Sequence, residues 1–98
     1  MKEKSKEVLR ATPFERKLSD NFIAIYSNLT EINFSGLDVV FDFGTVAPDI
    51  DKNIIGEFKL RVFMTPAHAK QFSAILQQGI ETYEKTVGKI NVPKVEKA

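Results

Sequence analysis

The chain has 98 residues, of which 43% are hydrophobic, with no cysteine and a formal net charge of +1 at pH 7. This length predicts one domain, the near-neutral charge argues against nucleic-acid and anionic-membrane partners, and the missing cysteine excludes disulfides and thiolate metal sites. The charged start is unlike a secretory signal, and no apolar run approaches the roughly 20 residues that span a bilayer, so we expect a cytoplasmic protein.

Charged segments flank the predicted domain at both ends. Residues 1–20 are rich in Lys, Glu and Arg, are interrupted by Pro13, and offer too little apolar surface to pack well. Residues 91–98 are similar, with Pro93 and charges of both signs. We therefore predict a flexible charged arm over 1–20, a single α+β domain over 21–90 and a flexible tail over 91–98.

Three segments have the composition or the alternation of β-strands. The first is Phe22–Tyr26, which continues after a bend as Leu29–Phe34. Leu37–Val46 alternates apolar and polar residues, and Glu57–Met64 does so again after a polar loop over 47–56. The connections are short, which favours an antiparallel meander because parallel neighbours need long crossovers.

A long helix follows the third strand. Thr65 is a suitable N-cap, Pro66 fits the first helical turn, and the apolar periodicity runs to about Val87 before Gly88, a typical C-terminal glycine. The fold class is therefore predicted as α+β, with a three-stranded antiparallel meander and one C-terminal helix packed on the sheet. The helical stripe comprises Ala69, Phe72, Leu76, Ile80, Tyr83 and Val87, and the sheet face expected beneath it comprises Phe41, Phe43, Leu60 and Val62.

A second edge of the helix runs beside this stripe. Gly79 lies in it, although glycine inside a helix costs about 1 kcal/mol relative to alanine. Close approach by another element would explain that residue. A three-stranded sheet also has a second face and two open edges, and self-association would cover them. We therefore predict a homo-oligomer, with a possible interaction surface formed by His68, Ile75, Gly79, Thr82 and Thr86.

Two short motifs invite a chemical interpretation that their context does not support. The triplet Asp42-Phe43-Gly44 is the metal-binding triplet of protein kinases, but the other kinase elements are missing, so a strand end with a glycine turn is expected. Asp49-x-Asp51-x-Asn53 resembles the start of a calcium loop. Ile54 and Leu60 occupy the positions that need glycine and a bidentate glutamate, which favours a polar hairpin loop.

His68 is the only histidine, and it is predicted in the first turn of the helix. A general base needs a nucleophile or a carboxylate beside it, and the sequence cannot show whether Asp38, Asp42 or Glu57 lies near. A surface or interface histidine is the favoured interpretation. The sequence thus predicts no catalytic, cofactor-binding or metal-binding residues, and no enzyme.

Several of these segments together resemble a small prokaryotic family known as a domain of unknown function. The resemblance covers about residues 22–90 and implies a compact meander-plus-helix domain without an established activity. The family often has Phe where this chain has Val39. The matching segments are Tyr26-x-Asn28, Ser35-x-x-Asp38-Val39-x-Phe41-Asp42-Phe43-Gly44, Arg61-Val62-x-Met64-Thr65-Pro66-x-His68-Ala69-Lys70 and Tyr83-Glu84-x-x-x-Gly88-x-Ile90.

Three functions are compatible with these features. The first is a non-enzymatic oligomeric module that binds a protein partner through its excess apolar surface. The second is a chaperone that holds unfolded chains, since strands followed by a long helix also resemble the SecB export chaperone in outline. The third is a ligand-binding or catalytic site around His68.

Overall fold

A computed structural model describes residues 13–93, and its elements confirm the predicted fold class. Strand β1 spans Leu29–Phe34, β2 spans Val39–Pro48, β3 spans Ile54–Met64 and helix α1 spans Pro66–Thr86. The sheet order is β1-β2-β3, and both neighbouring pairs are antiparallel. The predicted arm and tail lie partly outside the described residues, and their boundaries stay predictions.

The predicted first strand is wrong over Phe22–Tyr26, which is not part of the sheet. Asn28 ends the ladder at this point: its N–H donates to the Gly44 carbonyl at 3.0 Å, and its Oδ1 accepts the Val46 N–H at 2.9 Å. The Ser27 hydroxyl donates to the same Gly44 carbonyl at 3.0 Å. These bonds use the Gly44 carbonyl and the Val46 N–H of β2, with which a longer β1 would pair. Residues 22–26 therefore remain outside the sheet despite their strand-like composition.

Both hairpin turns differ in length from the prediction, and polar side chains set that length. The Ser35 hydroxyl accepts the Asp38 N–H at 3.1 Å, so β2 begins at Val39 rather than at Leu37. The second turn is shorter than the predicted loop, because Asp49 Oδ1 accepts two backbone N–H groups at 2.9 and 2.8 Å and allows β3 to begin at Ile54. Such side-chain-to-backbone bonds are the usual way in which aspartate and serine fix turns.

The core of the described chain is small. Val39 and Phe41 of β2 are its only buried hydrophobic side chains, with 0% and 6% of their surface exposed. The Phe41 ring stacks on Phe43 at a centroid distance of 6.1 Å and meets the edge of Phe72 from α1 at 5.7 Å. This aromatic cluster is where helix and sheet join.

Helix α1 begins and ends where the sequence predicts. The Thr65 side chain accepts the His68 N–H at 3.1 Å, and Pro66 occupies the first turn, where a missing N–H costs nothing. At the other end Val87 is the C-cap, and Gly88 has a φ of +145°, which favours glycine.

We expect Thr65→Ala to lower the free energy of unfolding by about 1 kcal/mol, because the His68 N–H loses its side-chain acceptor. Thr65→Ser is the matched control, since its hydroxyl preserves the acceptor. Urea unfolding followed by circular dichroism measures both variants. Equal losses in the two would mean that the hydroxyl is not the stabilising group.

The helix extends its apolar stripe beyond the sheet. None of its residues is buried, and Leu76 and Tyr83 remain 51% and 50% exposed. The expectation that the whole stripe covers the sheet is therefore met near Phe72 but not in the second half of the helix. Three strands at about 4.8 Å spacing form a sheet only about 15 Å wide, whereas the helix of 21 residues is about 32 Å long.

Candidate interaction surface

A cavity of about 380 Å³ lies between the sheet and the first half of α1. One side of the cavity is formed by residues of β1 and β2, and the other side by the helix. Because nearly all of the lining is apolar, the cavity is a place for hydrophobic side chains rather than for polar chemistry. The residues that shape it include Ile32, Phe34, Phe41, Pro66, Ala69 and Phe72.

A second concavity, of about 440 Å³, lies along the middle and second half of α1; we call it the helix groove. The chain after the helix turns back toward it at Gly88, and the Ile90 N–H donates to the Glu84 carboxylate at 3.0 Å. This bond holds Ile90 beside the helix. The helix groove is lined by Phe72, Ile75, Leu76, Gly79, Ile80, Tyr83 and Ile90, without any sheet residue.

All five residues of the predicted interaction edge are exposed, and helical geometry places them along one side of α1. Ile75 and Gly79 line the helix groove. The hydroxyls of Thr82 and Thr86 donate to backbone carbonyls one turn earlier, at 3.1 and 2.9 Å. His68 lies at the other end of the helix, in its first turn. The helix groove thus contains two residues of the predicted edge, together with Tyr83 and Ile90, which the sequence analysis did not place there.

His68 is exposed, and the carboxylates considered as its partners are dispersed. Asp42 alternates with Phe41 along β2, so it faces away from the helix that packs on Phe41. Asp38 belongs to the first turn and Glu57 to the middle of β3. Within residues 13–93, no group of three or more His, Cys, Asp and Glu residues is arranged to hold a metal ion.

The opposite face of the sheet carries a fully paired carboxylate. Asp42 lies beside Arg61 in the β2–β3 register, and its two oxygens accept bonds from the Arg61 Nε and Nη2 at 2.7 and 2.8 Å. Only 7% of Asp42 is exposed, and the bidentate pair satisfies the charge there. The hydrogen bond and the charge of Arg61 hold the pKa of Asp42 below its usual value, against the opposing effect of burial.

The comparisons with known proteins bear on this arrangement. The model of a protein family of unknown function, DUF3467, matches residues 1–92. The chain belongs to the DUF3467 family. The match is wider than the expected resemblance and includes the N-terminal charged segment. Neither the curated proteins nor the solved structures give a match. In the described part of the chain, no helix is long and apolar enough to cross a membrane.

The Asp-Phe-Gly triplet of this DUF3467 chain is neither a strand end nor a turn. Gly44 lies inside β2, opposite a bulge in β3 where Phe43 pairs with Leu60 and Gly44 with Phe58. The strand β3 approaches so closely that a Cβ on Gly44 would collide with the Glu57 carbonyl oxygen. The triplet is thus structural: Asp42 pairs with Arg61, Phe43 stacks on the core ring, and Gly44 admits the bulge.

The Asp42–Arg61 pair predicts a specific acid dependence of stability. Because the folded pKa of Asp42 is lowered, its contribution is complete above the unfolded value near 3.8 and is lost as the pH falls through the lower folded pKa. We expect Asp42→Asn to reduce the urea midpoint at pH 7 and to flatten the fall in midpoint below about pH 4. Asp38→Asn, at an exposed position, is the control; an unchanged slope in Asp42→Asn would contradict the assignment.

Proposed function

We propose that this DUF3467 chain is a non-enzymatic protein-interaction module that acts as a homo-oligomer. The observation that carries the proposal is the exposure of large hydrophobic side chains on the sheet and the helix of the described chain. Phe34, which lines the cavity, is 75% exposed, and Tyr83, which lines the helix groove, is 50% exposed. Extended apolar patches on a folded surface mark sites of protein–protein interaction.

The positions of the polar groups also favour a structural role. The carboxylates of Asp42, Asp49 and Glu84 accept bonds from Arg61 or from the backbone of the same chain. Groups that perform acid–base or metal chemistry point into a cleft toward a ligand, whereas these three stabilise the strand pair, a turn and the chain after the helix. The cavity between sheet and helix and the helix groove are apolar, as the core of a protein contact is, whereas the shallow concavity beside Asp42 and Arg61 is mixed and its carboxylate is already paired.

Sedimentation velocity of the full chain over a range of concentrations tests the proposal. We expect a species whose mass is a multiple of 11.1 kDa, with weak binding of a hydrophobic dye while it is assembled. Dilution below the dissociation constant should release monomer and raise dye fluorescence. A strict monomer at high micromolar concentration without dye binding would overturn the proposal.

The cavity between sheet and helix favours a second candidate, a chaperone that holds unfolded chains. It is apolar, open, and large enough for one or two hydrophobic side chains of a client. A holdase keeps such a surface accessible after assembly, so the assembled protein should still bind dye and suppress aggregation of a denatured model protein. The absence of suppression at a stoichiometric ratio would eliminate this candidate.

A further inference from the structure

No contact among residues 13–93 explains the glycine at the middle of the helix groove. A Cβ added to Gly79 would meet no atom within 4 Å, and its φ is not positive. Glycine at an exposed position inside a helix costs about 1 kcal/mol relative to alanine. The groove therefore contains a residue that weakens the isolated helix and leaves a space that none of the described residues fills.

The residues around Gly79 are arranged symmetrically along the helix. Positions three, four and seven residues before and after a residue lie on its side of an α-helix. Apolar and hydroxyl-bearing side chains occupy all six of these positions, so that a small centre is flanked by larger groups on both sides. They are Phe72, Ile75, Leu76, Thr82, Tyr83 and Thr86.

We propose that the helix groove binds the helix groove of a second copy of this chain, with the two helices antiparallel and crossing at Gly79. In this arrangement a two-fold axis passes near Gly79, and Ile75 of one copy faces Tyr83 of the other. Because neither Gly79 has a side chain, the two helices can approach closely at the crossing. The inference rests on the proposed function and deepens it, because it names the partner and the surface.

Two observations favour a second copy over a different protein. The first is that α1 lacks packing partners: none of its residues is buried, although helices in water derive most of their stability from packing. A permanent cover present in equal amount is most simply the same chain. The second is charge: a two-fold axis brings like residues together, and the lining of the helix groove contains no charged side chain that would meet its own copy.

Disulfide trapping tests the crossing directly, because the natural chain contains no cysteine. Gly79→Cys places one thiol at the proposed axis, and Gln77→Cys places one about 160° around the same helix. A disulfide needs Cα atoms about 4.4–6.8 Å apart. Under a mild oxidant at micromolar protein, we expect covalent dimer to form at least tenfold faster with Gly79→Cys than with Gln77→Cys. Equal rates would overturn the proposal.

The antiparallel direction has its own test. A size-tagged Ile75→Cys chain is mixed with an untagged Tyr83→Cys chain, allowed to exchange, and oxidised. The antiparallel crossing predicts that the mixed disulfide dominates over the two homodisulfides. Dominance of the homodisulfides would indicate parallel helices and would contradict the arrangement.

A bulky, charged substitution separates this inference from the proposed function. Gly79→Glu should reduce self-association at least tenfold in sedimentation, whereas Gln77→Glu, on the opposite side, should leave it unchanged. If Gly79→Glu remains fully assembled, the helix crossing is wrong while the proposed homo-oligomer stands. If the natural chain is itself a monomer, both fail.

Discussion

Replacing Gly44 with alanine is expected to destabilise the chain by about 3 kcal/mol or more, enough to unfold a large fraction of a small domain. The added methyl would collide with the Glu57 carbonyl oxygen and lie 2.7 Å from the Phe58 Cα. Both are backbone atoms held by the strand pair, so neither moves without breaking the β2–β3 register at its bulge. Urea unfolding and amide exchange of β2 and β3 measure the effect.

Gly56→Ala is the matched control, because Gly56 lies in the same strand pair, in β3, and pairs with Val46 of β2. Its added Cβ would meet only the Leu29 Cδ2 atom, at 2.9 Å, which is the far end of a flexible side chain. We expect that variant to stay folded, with a change of about 1 kcal/mol or less. Similar stability of the two alanine variants would show that the bulge can move away from Gly44.

Local signals were sufficient to predict the helix and the order of the strands. Thr65 and Pro66 start α1 through contacts within one turn, and Gly88 ends it through its own backbone conformation. The alternation in β2 likewise places Val39 and Phe41 on one face, where the structure buries them. Each of these features depends on residues close together in the sequence, which is why a single chain shows them.

The predictions were wrong where the local structure depends on contacts that only the fold creates. Phe22–Tyr26 has strand composition, but Asn28 takes the β2 backbone groups that it would pair with. Gly44 has the appearance of a turn residue, yet the neighbouring strand requires it. The Glu84 carboxylate accepts the Ile90 N–H and so completes the groove, a contact that helical periodicity does not indicate. None of these contacts leaves a periodic signal, because each joins two positions that only the fold brings together.

The same distinction separates the two candidate surfaces. The sequence predicted that apolar residues exceed what three strands can cover, and the structure places that excess at the sheet–helix cavity and in the helix groove. Phe72 lines both, so the two surfaces are continuous. An assembly that covers the groove would therefore also narrow access to the cavity, which links self-association to any binding of client side chains.

Phe41→Ala is expected to have the second large effect, a loss of about 3–5 kcal/mol in the free energy of unfolding. Phe41 is the larger of the two buried hydrophobic side chains, and its ring contacts both Phe43 and the helix residue Phe72. Its removal leaves a cavity at the join and frees α1 from the sheet. Urea unfolding followed by circular dichroism, at one fixed protein concentration, measures the loss.

Phe63→Ala provides the control, because it deletes the same side chain from β3 at a position that is 62% exposed. It pairs with Val40 on the face of the sheet opposite to Phe41, so its loss should cost about 1 kcal/mol or less. A much larger loss for Phe41→Ala than for Phe63→Ala would show that stability depends on the small core around Phe41 and not on aromatic side chains in general. If both variants lose equal stability, Phe63 is covered in the assembled protein, and the second sheet face is an interface as well.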